Sequence, residues 1–249
     1  MDLSKIYREE DMFPMRITSW VERSYGFLFY NETNKDSYDS NHALIFKDKV
    51  TDLEEALGDI VQFYSEKGIK PCIYQSISDE GYFEENRDVL TRHGFHCWIE
   101  EQKYMVLSAG NTITPNPEIT VKRVNQWDDA FATHVFEAAE EPWEIAVAQK
   151  VIASSNTLCF VAYYDGTPVG MTYGHVADGV CRVDYLLVSK KVRNMGVGRA
   201  LIYAFVECCH ARKIENCYLW PDGDTAERIY HEAGFRLVET KQAGRACLR

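Results

Sequence analysis

The chain has 249 residues, 46% hydrophobic and 26% charged, with 15 Gly and 7 Pro, which excludes a disordered, collagenous or coiled-coil protein. The 27 Lys and Arg stand against 38 Asp and Glu, so the formal net charge is −11, and neither nucleic acid nor an anionic membrane is expected as the main partner. The start, MDLSKIYREEDMF, lacks the basic residues and apolar run of a secretory signal, and no stretch reaches the roughly 18 consecutive apolar residues of a membrane span. A soluble, cytoplasmic protein is predicted. Its 8 cysteines are scattered without a CxxC pair, which predicts reduced thiols and no metal site.

In chain order, Arg16 to Phe46 is rich in aromatic and β-branched residues and reads as two strands around the polar loop NETNKDSYDSN. Leu53, Leu57, Ile60, Val61 and Tyr64 then recur at helical spacing and stop at Gly68, an amphipathic helix. A short strand around Ile73, a helix over 81–92 ended by Gly94, and a strand from Cys97 to Leu107 follow. The run SAGNTITPNPE (108–118) is nearly devoid of apolar residues and contains a linker at 111–118, dividing an N-terminal domain (1–110) from a C-terminal one (119–249).

Beyond it, a strand at Ile119–Val124 and one helix over Trp127–Glu140 are expected. The runs LCFVAYYDG, TPVGMTYGHV and VCRVDYLLVS, with Asp165-Gly166 and Asp178-Gly179 between them, predict an antiparallel meander. A helix from Gly198 to Arg212 carries Leu201, Phe205 and Cys208 on one face. A strand at Cys217–Trp220, a helix over Asp224–Ala233 and a strand from Phe235 complete the pattern. The halves share a grammar: KGIKPCIY (67–74) lies over KIENCYLW (213–220), and RHGF (92–95) over EAGF (232–235), which suggests an internal duplication.

The segment richest in chemistry is VDYLLVSKKVRNMGVGRALIYAFVECC. A strand ends at Val188, a basic loop follows, and Arg193-Asn194-Met195-Gly196-Val197-Gly198-Arg199 opens a helix. Glycines let backbone N–H groups approach an anion, and a helix N-terminus adds partial positive charge. The run is neither a Walker motif nor a complete dinucleotide fingerprint, since Leu201 stands where a third glycine would be needed. By itself such a loop is equally a tight strand-to-helix turn.

Strand, basic loop, RxxGxG, helix, strand, and a helix ending in YxxxGF is an order that resembles the Gcn5-related N-acetyltransferase (GNAT) superfamily, from about residue 119 to 240. The resemblance implies an α/β (α+β) protein with a tandem acyl-CoA N-acyltransferase-like fold, a mixed, mostly antiparallel sheet flanked by helices, whose N-terminal copy is degenerate. It implies acetyl-CoA as co-substrate and no metal. Arg193, Asn194, Met195, Gly196, Val197, Gly198 and Arg199 would bind the pyrophosphate, and the backbone at Leu187 and Val188 would pair with the pantetheine arm and polarise the acyl carbonyl. Tyr230, four residues before Gly234, would protonate the leaving thiolate.

Departures from the family pattern matter. Gly223 stands where members often carry Asn, and Arg182 where some carry a Glu base; Asp184, on the same face by the period of two, is the candidate base, with a structural or substrate-binding carboxylate as the alternative. Glu137, Glu140, Glu141 and Glu144 form either an amine-binding rim or a solvated helix face. The first half has no glycine loop, since 48–53 reads DKVTDL, and Leu90 replaces the tyrosine.

The implied activity is transfer of an acetyl group from acetyl-CoA to a primary amine, on a small molecule or a peptide, by direct attack in a ternary complex. This is an N-acetyltransferase of class EC 2.3.1. The alternatives are a non-catalytic CoA-binding sensor, favoured by Arg182 and Gly223, and a transferase of another acyl group. Homodimerisation is left open.

Overall fold

Two segments of chain contribute to each folded unit in the computed structural model, which describes residues 2–249. One unit contains 10–102 and 240–249; the other contains the residues up to Glu9 and 103–239. A single cut at 111–118 does not produce this division, because two strands begin in one unit and end in the other.

Helix α1 (Leu3–Met12) opens the chain, with Ile6 and Tyr7 buried. Asp2 precedes it and accepts from Ser4 Oγ at 2.7 Å, but with only two buried apolar residues its stripe is too short to read from sequence. Strands β1 (Ser19–Arg23) and β2 (Gly26–Tyr30) form an antiparallel hairpin, and β3 (His42–Ile45) follows the polar loop. Three strands thus stand where two were expected, since the tight turn before Gly26 divides the first apolar run. Helix α2 (Leu53–Glu66) starts at Asp52, whose carboxylate accepts from Glu55 N at 3.1 Å. Leu57, Ile60 and Tyr64 face inward as the spacing predicts, joined by Ala56, while Leu53 and Val61 are only partly buried, and each large apolar side chain buried there contributes about 1.5–3 kcal/mol. Strand β4 (Cys72–Gln75) runs parallel to β3, α3 (Tyr82–Glu85) and α4 (Arg87–Arg92) divide the expected single helix at Asn86, and β5 (Phe95–Leu107) leaves the unit.

The other unit continues with β6 (Ile119–Val124), α5 (Asp129–His134), a 3-10 turn at Phe136–Ala138 and α6 (Trp143–Ala153). The single helix expected over Trp127–Glu140 is therefore broken, and α6 lies beyond it; Asp128 caps α5, and Pro142 admits a new helix start. The meander of β7 (Thr157–Tyr164), β8 (Thr167–Ala177) and β9 (Val180–Val188) forms as predicted. Helix α7 (Val197–Ala211), β10 (Asn216–Leu219), α8 (Gly223–Glu232) and β11 (Phe235–Leu248) complete the chain. The buried stripe of α7 is Leu201, Phe205 and Cys209, not Cys208, which is half-buried at its margin.

The strand order in this unit is β5-β10-β9-β8-β7-β6, parallel only between β9 and β10, and α7 packs its stripe on Phe160, Cys181 and Cys217. In the first unit the order is β1-β2-β3-β4-β11, parallel only between β3 and β4. Three strands, a helix, a parallel strand, a helix and a final strand thus occur twice, which makes the duplication a matter of topology as well as sequence. Mixed, mostly antiparallel sheet flanked by helices is the architecture expected.

Two findings qualify the sequence reading of the first unit. Cys72 and Cys247 lie directly opposite on β4 and β11 and form a disulfide, where reduced thiols were expected. Residues 175 apart in sequence give no spacing signal of such a pairing. The carboxylate of Asp11 accepts from Ser76 Oγ at 2.6 Å and Ile77 N at 3.0 Å, yet burial pushes its pKa up to about 7. A pKa raised on folding contributes stability that is full below the unfolded value near 3.8 and lost as pH rises through 7. Denaturant melts between pH 4 and 7 should therefore show a slope of at most about 1.4 kcal/mol per pH unit from this group. Asp11→Asn should flatten that slope; an unchanged slope would assign it elsewhere.

Candidate active site

Strand β9 pairs with β8 along its whole length but with β10 only as far as Tyr218 opposite Arg182. From Val183 onward β9 has no strand partner on that side among the described residues. The two parallel strands fork, and the exposed edge of β9 presents N–H and C=O groups that an extended ligand can complete. Leu187 and Val188, the residues predicted to receive the pantetheine arm, lie on this free edge.

The β8–β9 register shifts between Tyr173 and Gly174, so Asp184 is the extra residue of a bulge. Bulges re-aim side chains, and this one sets Arg182 and Tyr185 opposite His175 and Tyr173, while Leu186 and Val188 pack on the core beneath α7. Asp184 meets Arg182 in an ion pair and lies 3.4 Å from Nε2 of His175. The carboxylate proposed as a base is thus already engaged.

After Val188 the chain is pinned by Ser189 N donating to Val169 O at 2.9 Å and makes a 3-10 turn over Lys190–Val192. Asn194 (φ +67°) and Gly196 (φ +82°) both adopt left-handed backbone, which reverses the chain into α7. Gly196 occupies the N-cap position and offers no side chain to the first-turn N–H groups. In contrast to α2, with Asp52 at its cap and Glu54 and Glu55 in its first turn, the N-terminus of α7 is open and free of acidic residues. The N-terminus of α2 is thus occupied by its own carboxylates, where that of α7 is left for an anion.

Asn116 holds this loop from outside, its Nδ2 donating to Met195 O at 2.9 Å. The segment taken as a linker is in fact fastened to this unit. Ser108 N and Ala109 N both donate to Gly234 O, Thr112 N donates to Glu232 O, and Ile113 enters the core. Gly234 (φ +103°) is required there, since a Cβ would come within 2.2 Å of Ala109 O.

The loop's cations divide into two sets. Arg193 is exposed and has no ion pair among the described residues, whereas Arg199 is held bidentately by Glu232 at 2.6 and 2.8 Å. Lys191 lies 3.2 Å from Glu137, and Lys190 is exposed.

Tyr230 is buried on α8 with its ring against Phe235, and its hydroxyl makes no hydrogen bond among the described residues. Burial, reinforced by Asp222, pushes its pKa up to about 12, so it carries its proton at neutral pH. Gly223, at the start of α8, supplies no side chain in place of the asparagine common in the family.

The acidic residues are not equivalent. Glu137 turns toward the loop, accepting from Ser189 Oγ at 3.3 Å as well as from Lys191. Glu140 and Glu141 are exposed, whereas Glu144 accepts from the hydroxyl of Tyr185 and, at 3.0 Å, from Glu141 N. Tyr185 stacks between Tyr173 (4.9 Å) and Phe136 (6.0 Å), and burial followed by the Glu144 carboxylate drives its pKa upward. Sequence reasoning missed Tyr185 and Asn116. The first is one tyrosine of 15, and the second reaches the loop from 79 residues away.

The family model described as the acetyltransferase (GNAT) family matches residues 122–235. Residues 122–235 are similar to the GNAT family. This is the span of the forked strands and the glycine loop, and the likeness supports an acyltransferase function for it. No curated protein matches the sequence significantly. Among solved structures, a GCN5-related N-acetyltransferase from Kribbella flavida is 17% identical with a TM-score of 0.69, covering 98% of this chain and 94% of its own. A functionally unknown conserved protein from Staphylococcus epidermidis is 17% identical with a TM-score of 0.66 and 96% coverage of both chains. A GCN5-related N-acetyltransferase from Sphaerobacter thermophilus, 15% identical with a TM-score of 0.56, covers 100% of this chain and 86% of its own. These likenesses bear on the fold of the whole chain, including the part outside the GNAT match. No helix among the described residues is long and apolar enough to cross a membrane.

Proposed function

We propose that the GNAT domain transfers an acetyl group from acetyl-CoA to a primary amine by direct attack in a ternary complex. The observation that carries this reading is the fork beyond Arg182, whose free β9 edge leads into the uncapped N-terminus of α7. An extended amide-bearing arm that ends in a pyrophosphate matches both halves of that surface. Acetyl-CoA would supply an acyl group activated as a thioester. The N–H groups of Met195–Gly198 and the free guanidinium of Arg193 would hold the pyrophosphate, with Arg199 keeping Glu232 and α8 in place behind them. Backbone N–H near Val188 would polarise the acyl carbonyl.

Tyr230, protonated and without a competing partner, would donate to the departing sulfur. Asp184 is engaged by Arg182, so it serves best by orienting water that takes the amine's proton. The acidic residues Glu140, Glu141 and Glu144, beside the aromatic stack of Tyr185, suit a cationic acceptor. Either a small amine or a peptide amine meets that description.

The engaged state of Asp184 favours a second reading, a CoA-binding sensor without turnover. Calorimetric titration of acetyl-CoA combined with release of free thiol over a panel of amines separates the two. A dissociation constant of roughly 1–100 μM with amine-dependent thiol release is expected. Binding without release from any amine would support the sensor, and no binding near 1 mM would overturn both.

A further inference from the structure

Three cysteines from three different elements converge below the fork. Cys181 of β9 and Cys217 of β10 are direct partners in the parallel ladder, one residue before it opens, and Cys209 of α7 lies over them. Their sulfurs all lie within 4.8 Å of one another, with Cys209 and Cys217 3.8 Å apart, and all three side chains are 0% exposed. A buried cysteine is often a small apolar core residue, but core packing has no need to aim three sulfurs at one point.

We propose that Cys181, Cys209 and Cys217 form a three-sulfur site for a soft monovalent cation, and that Cu(I) is the ion it matches. Metal–thiolate bonds of about 2.3 Å arranged trigonally set sulfurs about 4 Å apart, near the separations found. The donor set is sulfur only, which selects a soft ion. Zn(II) is disfavoured because it takes four ligands, and this enclosed core supplies neither a fourth side chain nor solvent. Relative to three thiols, binding of Cu(I) by two thiolates and one retained thiol releases two protons and leaves one net negative charge. The cysteines are 28 and 8 residues apart along the chain, so no ligand spacing announces them.

The test is anaerobic loading of the full chain from a Cu(I)–bicinchoninate complex without thiol reductants or acetyl-CoA, followed by copper analysis and X-ray absorption. One Cu(I) retained per chain in a shell of three sulfurs is expected. Cys209→Ala and Cys217→Ala should each lower retained copper at least tenfold, and Cys208→Ala, one residue away, should not. No retention overturns the proposal, as does equal loss in Cys208→Ala. A shell of two sulfurs also overturns it. The wild-type spectrum decides the matter even if a core variant fails to fold, and because acetyl-CoA is absent a negative result leaves the transferase reading untouched.

Discussion

Gly196→Asp should lower the affinity for acetyl-CoA at least 30-fold while leaving the domain folded. Position 196 is where the chain turns, at φ +82°, into the uncapped end of α7, and a Cβ there meets only Asn116 at 3.6 Å. The substitution therefore adds modest backbone strain and a carboxylate that caps the very N–H groups meant for the pyrophosphate. Asp is a good N-cap, so α7 itself gains a partner for its first turn. The helix end would then resemble that of α2, already capped by Asp52. Gly196→Asn has nearly the same shape and strain without the charge, and should cost no more than several-fold. A 30-fold loss corresponds to about 2 kcal/mol. Titration of both variants beside thermal melts distinguishes lost electrostatics from lost fold, and equal loss in both would deny the loop its anion.

Tyr230→Phe should lower kcat by roughly 10²-fold, within the range for removal of a general acid, and leave the KM for acetyl-CoA within a factor of about three. The hydroxyl has no protein partner among the described residues, so its removal leaves no buried group unsatisfied, and the ring's contact with Phe235 remains. With its pKa pushed up to about 12 by burial, Tyr230 stays a donor throughout the working range. The wild-type rate should therefore rise with pH as the acceptor amine loses its proton, with no fall before about pH 10.5. Because folding raises this pKa above its usual 10, its contribution to stability is full below pH 10 and lost as pH rises through 12. Melts between pH 7 and 9.5 should not register it. An unchanged kcat in Tyr230→Phe would remove the acid role and leave proton delivery to water.

The sequence alone determined the glycine loop, the meander, the amphipathic helices α2 and α7 and the terminal Tyr230–Gly234 pattern. Each rests on residues close together in the chain: alternation over strands, helical spacing, and glycine where the backbone must turn left-handed. The duplicated order of elements was legible for the same reason, as was the absence of a glycine cradle in the first copy. Helix α6 was missed because Trp143, Ile145 and Ala146 surround its buried Val147, Ala148, Val151 and Ile152 with further apolar positions, so that no single stripe stands out.

Tertiary structure alone decided which partners the polar side chains take. The bulge at Asp184, its pairing with Arg182, the commitment of Arg199 to Glu232 and the support of the loop by Asn116 all join residues whose meeting depends on strand register or on distant chain segments. The disulfide of Cys72 with Cys247 and the convergence of Cys181, Cys209 and Cys217 arise in the same way. Periodicity specifies which face of an element a residue occupies. What stands opposite it is set by register and packing, and a pair brought together only by folding leaves no pattern along the chain.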